Sequence, residues 1–397
     1  MKRLYLSVIT FLMIVWSCNN GQSQQVKPQK VYRIVYEIQS NEWYQKQAEL
    51  WKQEIDKNPD NPEAWYNYYN ANRYANFENI DSKEKKDKLD KIVEDMEKAI
   101  PGTYEAYLLK YWNCWNIGEM DLIEKAYAID PDRPDTYYPF ISHAVINGDK
   151  QKLLEFCNKL YRSKDTAPWL INYNYNVLMS VEKNAILITN GDNDTYPIWM
   201  LQTAKGVRSD VTVLNVSMSP EESYFNNTLK EKNINIDYHQ IKTKAKDKAK
   251  QNDPFRSKFI QELIREIDKK YPDIPIYFAL TVYEKHFKPF KEDLYVTGLA
   301  NKYSRSRIDN IAIVKNNIEN RLRLDYLDFE WYSEDFPGES IMNVLHTNYV
   351  LPFVMLAKHY KTSGQNEESL KWKNMALSIA EKANNNELID YINEKNL

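Results

Sequence analysis

Glycine is scarce in this chain, with nine in 397 residues, where globular sequences average roughly 7 %. That scarcity argues against glycine-rich β architectures, collagen-like repeats and long flexible linkers. Cysteine is scarcer still: Cys18, Cys114 and Cys157 form no Cys-x-x-Cys or Cys-x-x-His pair. The five histidines (His143, His239, His286, His346 and His359) never fall at His-x-x-His or His-x-x-x-His spacing, so a zinc site has no support. Positive charge is not in excess: 53 Lys and Arg face 56 Asp and Glu, a net charge of −3. A broad nucleic-acid-binding surface needs such an excess, because phosphate neutralisation supplies most of its affinity. Gly-x-Ser-x-Gly, Walker and Gly-x-Gly-x-x-Gly motifs are missing too.

What is present in quantity is aromatic. Thirty Tyr, 13 Phe and 10 Trp make 13 % of the chain, within an apolar fraction of 43 %. This composition predicts a large core, helices packed through aromatic faces, and roughly two to three domains. Lys242, Lys244, Lys246, Lys248 and Lys250 form a local basic run, read as a solvated connector or as a dock for an anionic partner.

The first residues read as an address. Lys2 and Arg3 precede an apolar stretch at 4–16, and Ser17 precedes Cys18. The stretch is too short to span a bilayer permanently. Val15, Trp16, Ser17 and Cys18 resemble a bacterial lipobox, which predicts a signal peptide at 1–17 and lipidation of Cys18. A diacylated or triacylated cysteine anchors firmly, since each buried CH₂ adds about 0.8 kcal/mol. Residues 18–40 read as a tether, and beyond the leader no apolar run is long enough to cross a membrane. Cys114 and Cys157 fall at helical core positions and read as two buried thiols.

Residues 41–166 read as antiparallel helix pairs. Asn61 with Pro62 and Glu63 forms a helix start, and Thr103 and the Arg133–Pro134–Asp135–Thr136 segment form two more. Gly118 and Gly148 lie at matching turn positions, a pattern resembling degenerate tetratricopeptide repeats. A similar hairpin surrounds Gly364, with Phe353, Leu356, Ala357 and Tyr360 before it and Ser369 and Ala376 after it. The middle differs. Apolar runs at 185–189, 210–216, 275–281 and 294–299 predict strands, with helices at 196–205 and 254–270 between them. Strand, helix and strand in this order predict a small Rossmann-like α/β domain at 167–310 with a parallel sheet. The fold class is therefore mixed α and β and mostly helical, with helical hairpins flanking that domain and resuming at 311–397.

One loop concentrates polar chemistry. Asn190, Gly191, Asp192, Asn193, Asp194 and Thr195 leave the carboxyl end of the first strand, the edge where open α/β sheets bind ligands. Asp192 and Asp194 could ligate a hard cation such as Mg²⁺ or Ca²⁺, or the loop amides could meet an anion. Equally, Asp194 or Thr195 could only cap the following helix while Gly191 supplies a positive φ. Glu284, Lys285 and His286 follow the third strand and could approach Asp192, or form a plain surface loop.

Residues 184–218 also carry a resemblance. Thr189 to Thr195, Pro197, Trp199, Gly206, Val207, Arg208, Asp210 and Val211 resemble the envelope-side segment of a family of bacterial multi-spanning membrane proteins of poorly defined function. Those proteins have a glycosyltransferase-C-like membrane half, similar in style to protein O-mannosyltransferases. Tyr196 stands where the family has Phe. The likeness extends loosely over 170–390 but includes no membrane half, so transferase activity does not follow from it. What the resemblance implies is a stand-alone lipoprotein version of the accessory domain, facing the periplasm from a lipid anchor. Two functional expectations result. One is a binding or scaffold module for an envelope protein or glycan partner, with no nucleic acid and without enzyme activity. The other is a metal-dependent enzyme acting on envelope glycans or phosphoesters through Asp192 and Asp194.

Overall fold

The computed structural model describes residues 27–114, 119–249, 254–328, 336 and 338–395. The leader, Cys18, Gly118 and Lys250 lie outside the described residues. Eight helices open the described chain: α1 (Asn41–Lys57), α2 (Pro62–Tyr74), α3 (Lys83–Ala99), α4 (Tyr104–Cys114), α5 (Met120–Ile129), α6 (Tyr137–Asn147), α7 (Lys150–Ser163) and α8 (Pro168–Met179). The expected starts are real. The Asn61 side chain accepts from the amides of Glu63 and Ala64 with Pro62 in the first turn, and Thr103 Oγ1 accepts from Ala106 N. Helices α1 and α2, α4 and α5, and α6 and α7 pack as hairpins. Gly148 ends α6 in the left-handed conformation at φ 68°, and Asp149 then caps α7 through Lys152 N. A side chain at 148 would be strained there, which is why a glycine-poor chain keeps one at this turn.

The sheet has five strands in the order β2-β1-β3-β5-β4, with β1 (Ile186–Thr189), β2 (Thr212–Asn215), β3 (Ile276–Ala279), β4 (Leu294–Val296) and β5 (Ala300–Tyr303). Strand β1 pairs in parallel with β2 and β3, while β5 runs antiparallel to both β3 and β4. The expectation of a parallel sheet thus holds for three strands, and the stretch at 294–299 is corrected. It is a strand only to Val296, then turns at Gly298 (φ 142°) so that β5 enters beside β3. A Cβ at 298 would stand 2.5 Å from Ser180 Oγ, so the turn depends on glycine.

Helix α9 (Tyr196–Lys205) links β1 to β2, and α10 (Glu222–Lys230), α11 (Tyr238–Lys248) and α12 (Phe255–Lys270) lead to β3. The basic run is not a connector. Lys242 to Lys248 lie in α11, where Lys244 and Lys248 pair with Glu266 and Glu262 of α12. A short α13 (Glu284–Phe287) follows β3, and the chain closes with α14 (Asn310–Asn320), α15 (Glu339–His346), α16 (Val350–Thr362), α17 (Asn366–Lys382) and α18 (Asn386–Glu394). Helices α16 and α17 form the hairpin expected around Gly364 (φ 77°), burying Phe353, Leu356, Ala357, Tyr360, Ser369 and Ala376. The expectation that no apolar run beyond the leader could cross a membrane is corrected: residues Glu339–Thr362 are long and apolar enough by length and composition, and half of an 18-residue apolar window within them is buried inside the protein.

Two apolar cores result. One gathers Val31 with α1 to α4 around Tyr69, Leu89, Met96 and Leu109. The larger unites the later hairpins, the sheet and the C-terminal helices. Of the two thiols expected in the core, Cys157 is buried and burial pushes it up to about 12, while Cys114 at the end of α4 is exposed.

Candidate functional site

The polar loop after β1 divides its work residue by residue. Asp194 is 2 % exposed. Its carboxylate accepts from the amides of Asn190 and Gly191, each at 2.7 Å, and from the hydroxyl of Thr281 beyond β3. Burial pushes this carboxyl up, and the Thr281 hydroxyl and loop amides pull it back. Thr195 occupies the N-cap position of α9, but its hydroxyl makes no cap hydrogen bond. It meets Thr189 Oγ1 at 2.8 Å and Asn215 Nδ2 at 3.0 Å instead, tying β1 to β2. Thr195 is thus the N-cap in position, as expected, but Asp194 and Thr195 spend their side chains on locking the loop to the sheet rather than on capping α9. Gly191 is corrected, because it does not adopt a positive φ and a Cβ there would meet nothing within 4 Å. Asn193 Nδ2 donates to Val35 O at 3.0 Å, joining the loop to the N-terminal segment.

Only Asp192 and Asn193 of the loop line the principal cavity, of about 670 Å³, which opens between this loop and the helical repeats. Half of the Asp192 side chain faces its solvent, although protein walls surround it. Those walls push its carboxyl up, against the pull of Arg33 and Arg73. Asp192 and Asp194 therefore face different surroundings, one the cavity and one the loop. Among the described residues no three His, Cys, Asp or Glu side chains converge as a metal would require.

The opposite wall comes from residues 27–40, which are not a free tether. Val31 is fully buried, and its amide donates to Asn67 Oδ1 at 2.7 Å. Gln29 is held at both backbone groups, its amide by Gln47 Oε1 and its carbonyl by Trp51 Nε1. This strap carries Arg33 into the cavity. The guanidinium lies over the rings of Trp112 and Tyr138, each at 5.2 Å, and Tyr36 at 5.8 Å, with Asp192 at 4.0 Å. Its Nη1 is buried with no hydrogen-bond partner among the described residues, and such a donor calls for a water or a ligand. Tyr36 and Tyr138 both donate to Asp165, and Tyr196 meets Ser142 at 2.5 Å. Burial raises the phenols of Tyr36, Tyr138 and Tyr196 and also the carboxyl of Asp135, which Arg33 and Arg133 pull back.

Sequence reasoning placed the loop but missed Arg33, Tyr36, Asp135, Tyr138 and Asp165 as cavity residues. The readable signal was Val31, Tyr32, Ile34, Val35 and Tyr36, which are too apolar for a solvated tether. Lys285 and His286 do not reach the cavity. They stand with Asn190 at a separate crevice.

The second motif of the resemblance is architectural. Gly206 ends α9 in the left-handed conformation. Arg208 Nη1 and Nη2 donate to the carbonyls of Leu178, Val181 and Glu182 at and beyond the end of α8, and Asp210 clamps the guanidinium at 2.9 and 3.0 Å. No curated protein matches the chain. Residues 170–253, from α8 past the end of α11, match the family described as TMEM260-associated domain 2.

Proposed function

We propose that this protein is a lipid-anchored bacterial envelope protein whose principal cavity binds a carbohydrate, acting as a binding and scaffold module accessory to envelope glycosylation. The observation behind this reading is the chemistry of the cavity wall. Tyrosine rings line the cavity together with the carboxylates of Glu63, Glu105, Asp135, Asp165 and Asp192, and these nearly balance Lys30, Arg33, Arg133 and Lys164. A neutral polyhydroxylated ligand suits such a surface: rings cover its C–H faces, carboxylates accept from its hydroxyls, and Arg33 donates. The volume falls within the roughly 300–1,000 Å³ of small-ligand sites. The resemblance of residues 184–218 to proteins similar in style to protein O-mannosyltransferases supports glycan as the ligand class, presented by an envelope protein or free.

Isothermal titration of envelope oligosaccharides into the full chain tests the reading. Wild type is expected to give saturable heat, and Asp192→Asn to bind at least tenfold more weakly with an unchanged melting temperature. Asp194→Asn, by contrast, is expected to lower the melting temperature because loop amides lose their acceptor. Undiminished binding by Asp192→Asn, or no heat from any glycan, would sink the proposal.

A further inference from the structure

A second crevice, of about 430 Å³, opens where the three parallel strands end. Asn190 reaches it from the end of β1, Ser217 from the end of β2, and Tyr283, Lys285 and His286 from beyond β3. Arg256 reaches it from the first turn of α12. In open α/β sheets this carboxyl edge is the ligand-binding edge.

The charge here is one-sided. Among the described lining residues Arg256 and Lys285 are cations, and none is a carboxylate. The principal cavity, by contrast, carries five. Both Arg256 and Lys285 are exposed, and neither forms an ion pair among the described residues. The Lys285 ammonium lies 5.4 Å from the Tyr283 ring centre. His286 reports the resulting field: burial, then Lys285 and Arg256, push its imidazole down to about 4, and its Nδ1 meets Ser257 Oγ at 3.1 Å. Helix α12 is 16 residues long, and its N-cap, Pro254, brings no side-chain cap. Its first amides add partial positive charge at the same edge.

We propose that this crevice is an anion site that takes a phosphoryl group, held by Arg256 and Lys285 with Ser217 and Asn190 as further hydrogen-bonding groups. Two full positive charges and a helix terminus match a dianion better than a single carboxylate. The planar guanidinium fork fits two phosphoryl oxygens at once. The site does not depend on the carbohydrate reading, since it shares no residue with the wall of the principal cavity. A soluble phosphate ester and a phospholipid headgroup share the phosphoryl oxygens that the fork would grip, the monoester as a dianion and the headgroup diester as a monoanion.

Calorimetry on the full chain at low salt separates the cases, using inorganic phosphate, dihexanoyl phosphatidylglycerol and dihexanoyl phosphatidylcholine as probes. Saturable heat with phosphate is expected. Arg256→Ala and Lys285→Ala are each expected to weaken it roughly tenfold, and the double variant to abolish it. Because both side chains are exposed, the variants should melt as wild type does in phosphate-free buffer. Phosphate binding without phosphatidylglycerol binding assigns a soluble ester, while phosphatidylglycerol binding that phosphate competes away assigns a headgroup. If neither probe gives saturable heat, or if the double variant binds phosphate as wild type does, the site is refuted.

Discussion

Aspartates in this chain differ more through their partners than through their spacing. Asp192 and Asp194 are two residues apart, yet one faces a solvent-filled cavity beside Arg33 and the other is buried under backbone amides. Asp210 is the opposite case to both. Its hydrogen bonds from Arg208 hold the carboxyl down to about 2. A carboxyl whose folded value lies below its unfolded value of 3.8 contributes stability that is present above that value and lost as pH falls towards 2. Asp210→Asn is therefore expected to cost on the order of 1–2 kcal/mol at pH 7, reduced by partial solvent screening. It should cost progressively less from pH 4 down to pH 2. Urea titrations of both proteins across that range check the sign.

Among the elements, the strap at 27–40 departs furthest from its sequence reading. Its polar approach, with Gln24, Gln25 and Lys27, reads as solvated chain. Its conformation is decided by Gln47, Trp51 and Asn67, which α1 and α2 present to its backbone. None of these contacts is local, so no window of sequence reveals them. Gly338 packs against the same strap. It sits at φ 107°, and a Cβ there would fall 2.0 Å from Tyr36 O. Gly338→Ala is expected to push the strap from its seat and to lower stability by roughly 1–3 kcal/mol. Thermal melting measures that loss, and loss of Trp112 fluorescence perturbation by glycan would report Arg33 leaving the cavity. The helical hairpins behave oppositely, because their caps and turn glycines are local signals. Asn61, Thr103, Gly148 and Gly364 could be read in advance and stand where expected.

For the whole molecule, the expected lipid anchor gives the strap a further meaning. Twelve positions separate Cys18 from Lys30, the first residue of the cavity wall, so a lipid at Cys18 would tether the site within roughly 40 Å of the membrane surface. Cys18→Ala is expected to move the protein from the membrane to the soluble fraction of the envelope, and persistence in the membrane fraction would refute lipidation. Sequence alone determined the mostly helical class, the hairpins, the three parallel strands and the polar loop at their carboxyl edge. Each follows from periodicity, capping or turn chemistry, which act over a few residues. The tertiary structure decided what these parts do together. It inserted β5 between β3 and β4, assigned Asp192 to a cavity and Asp194 to the scaffold, and built that cavity from Arg33, Asp135 and Asp165. Those residues are over a hundred positions apart in part. Only packing of the two cores against each other brings them to one surface.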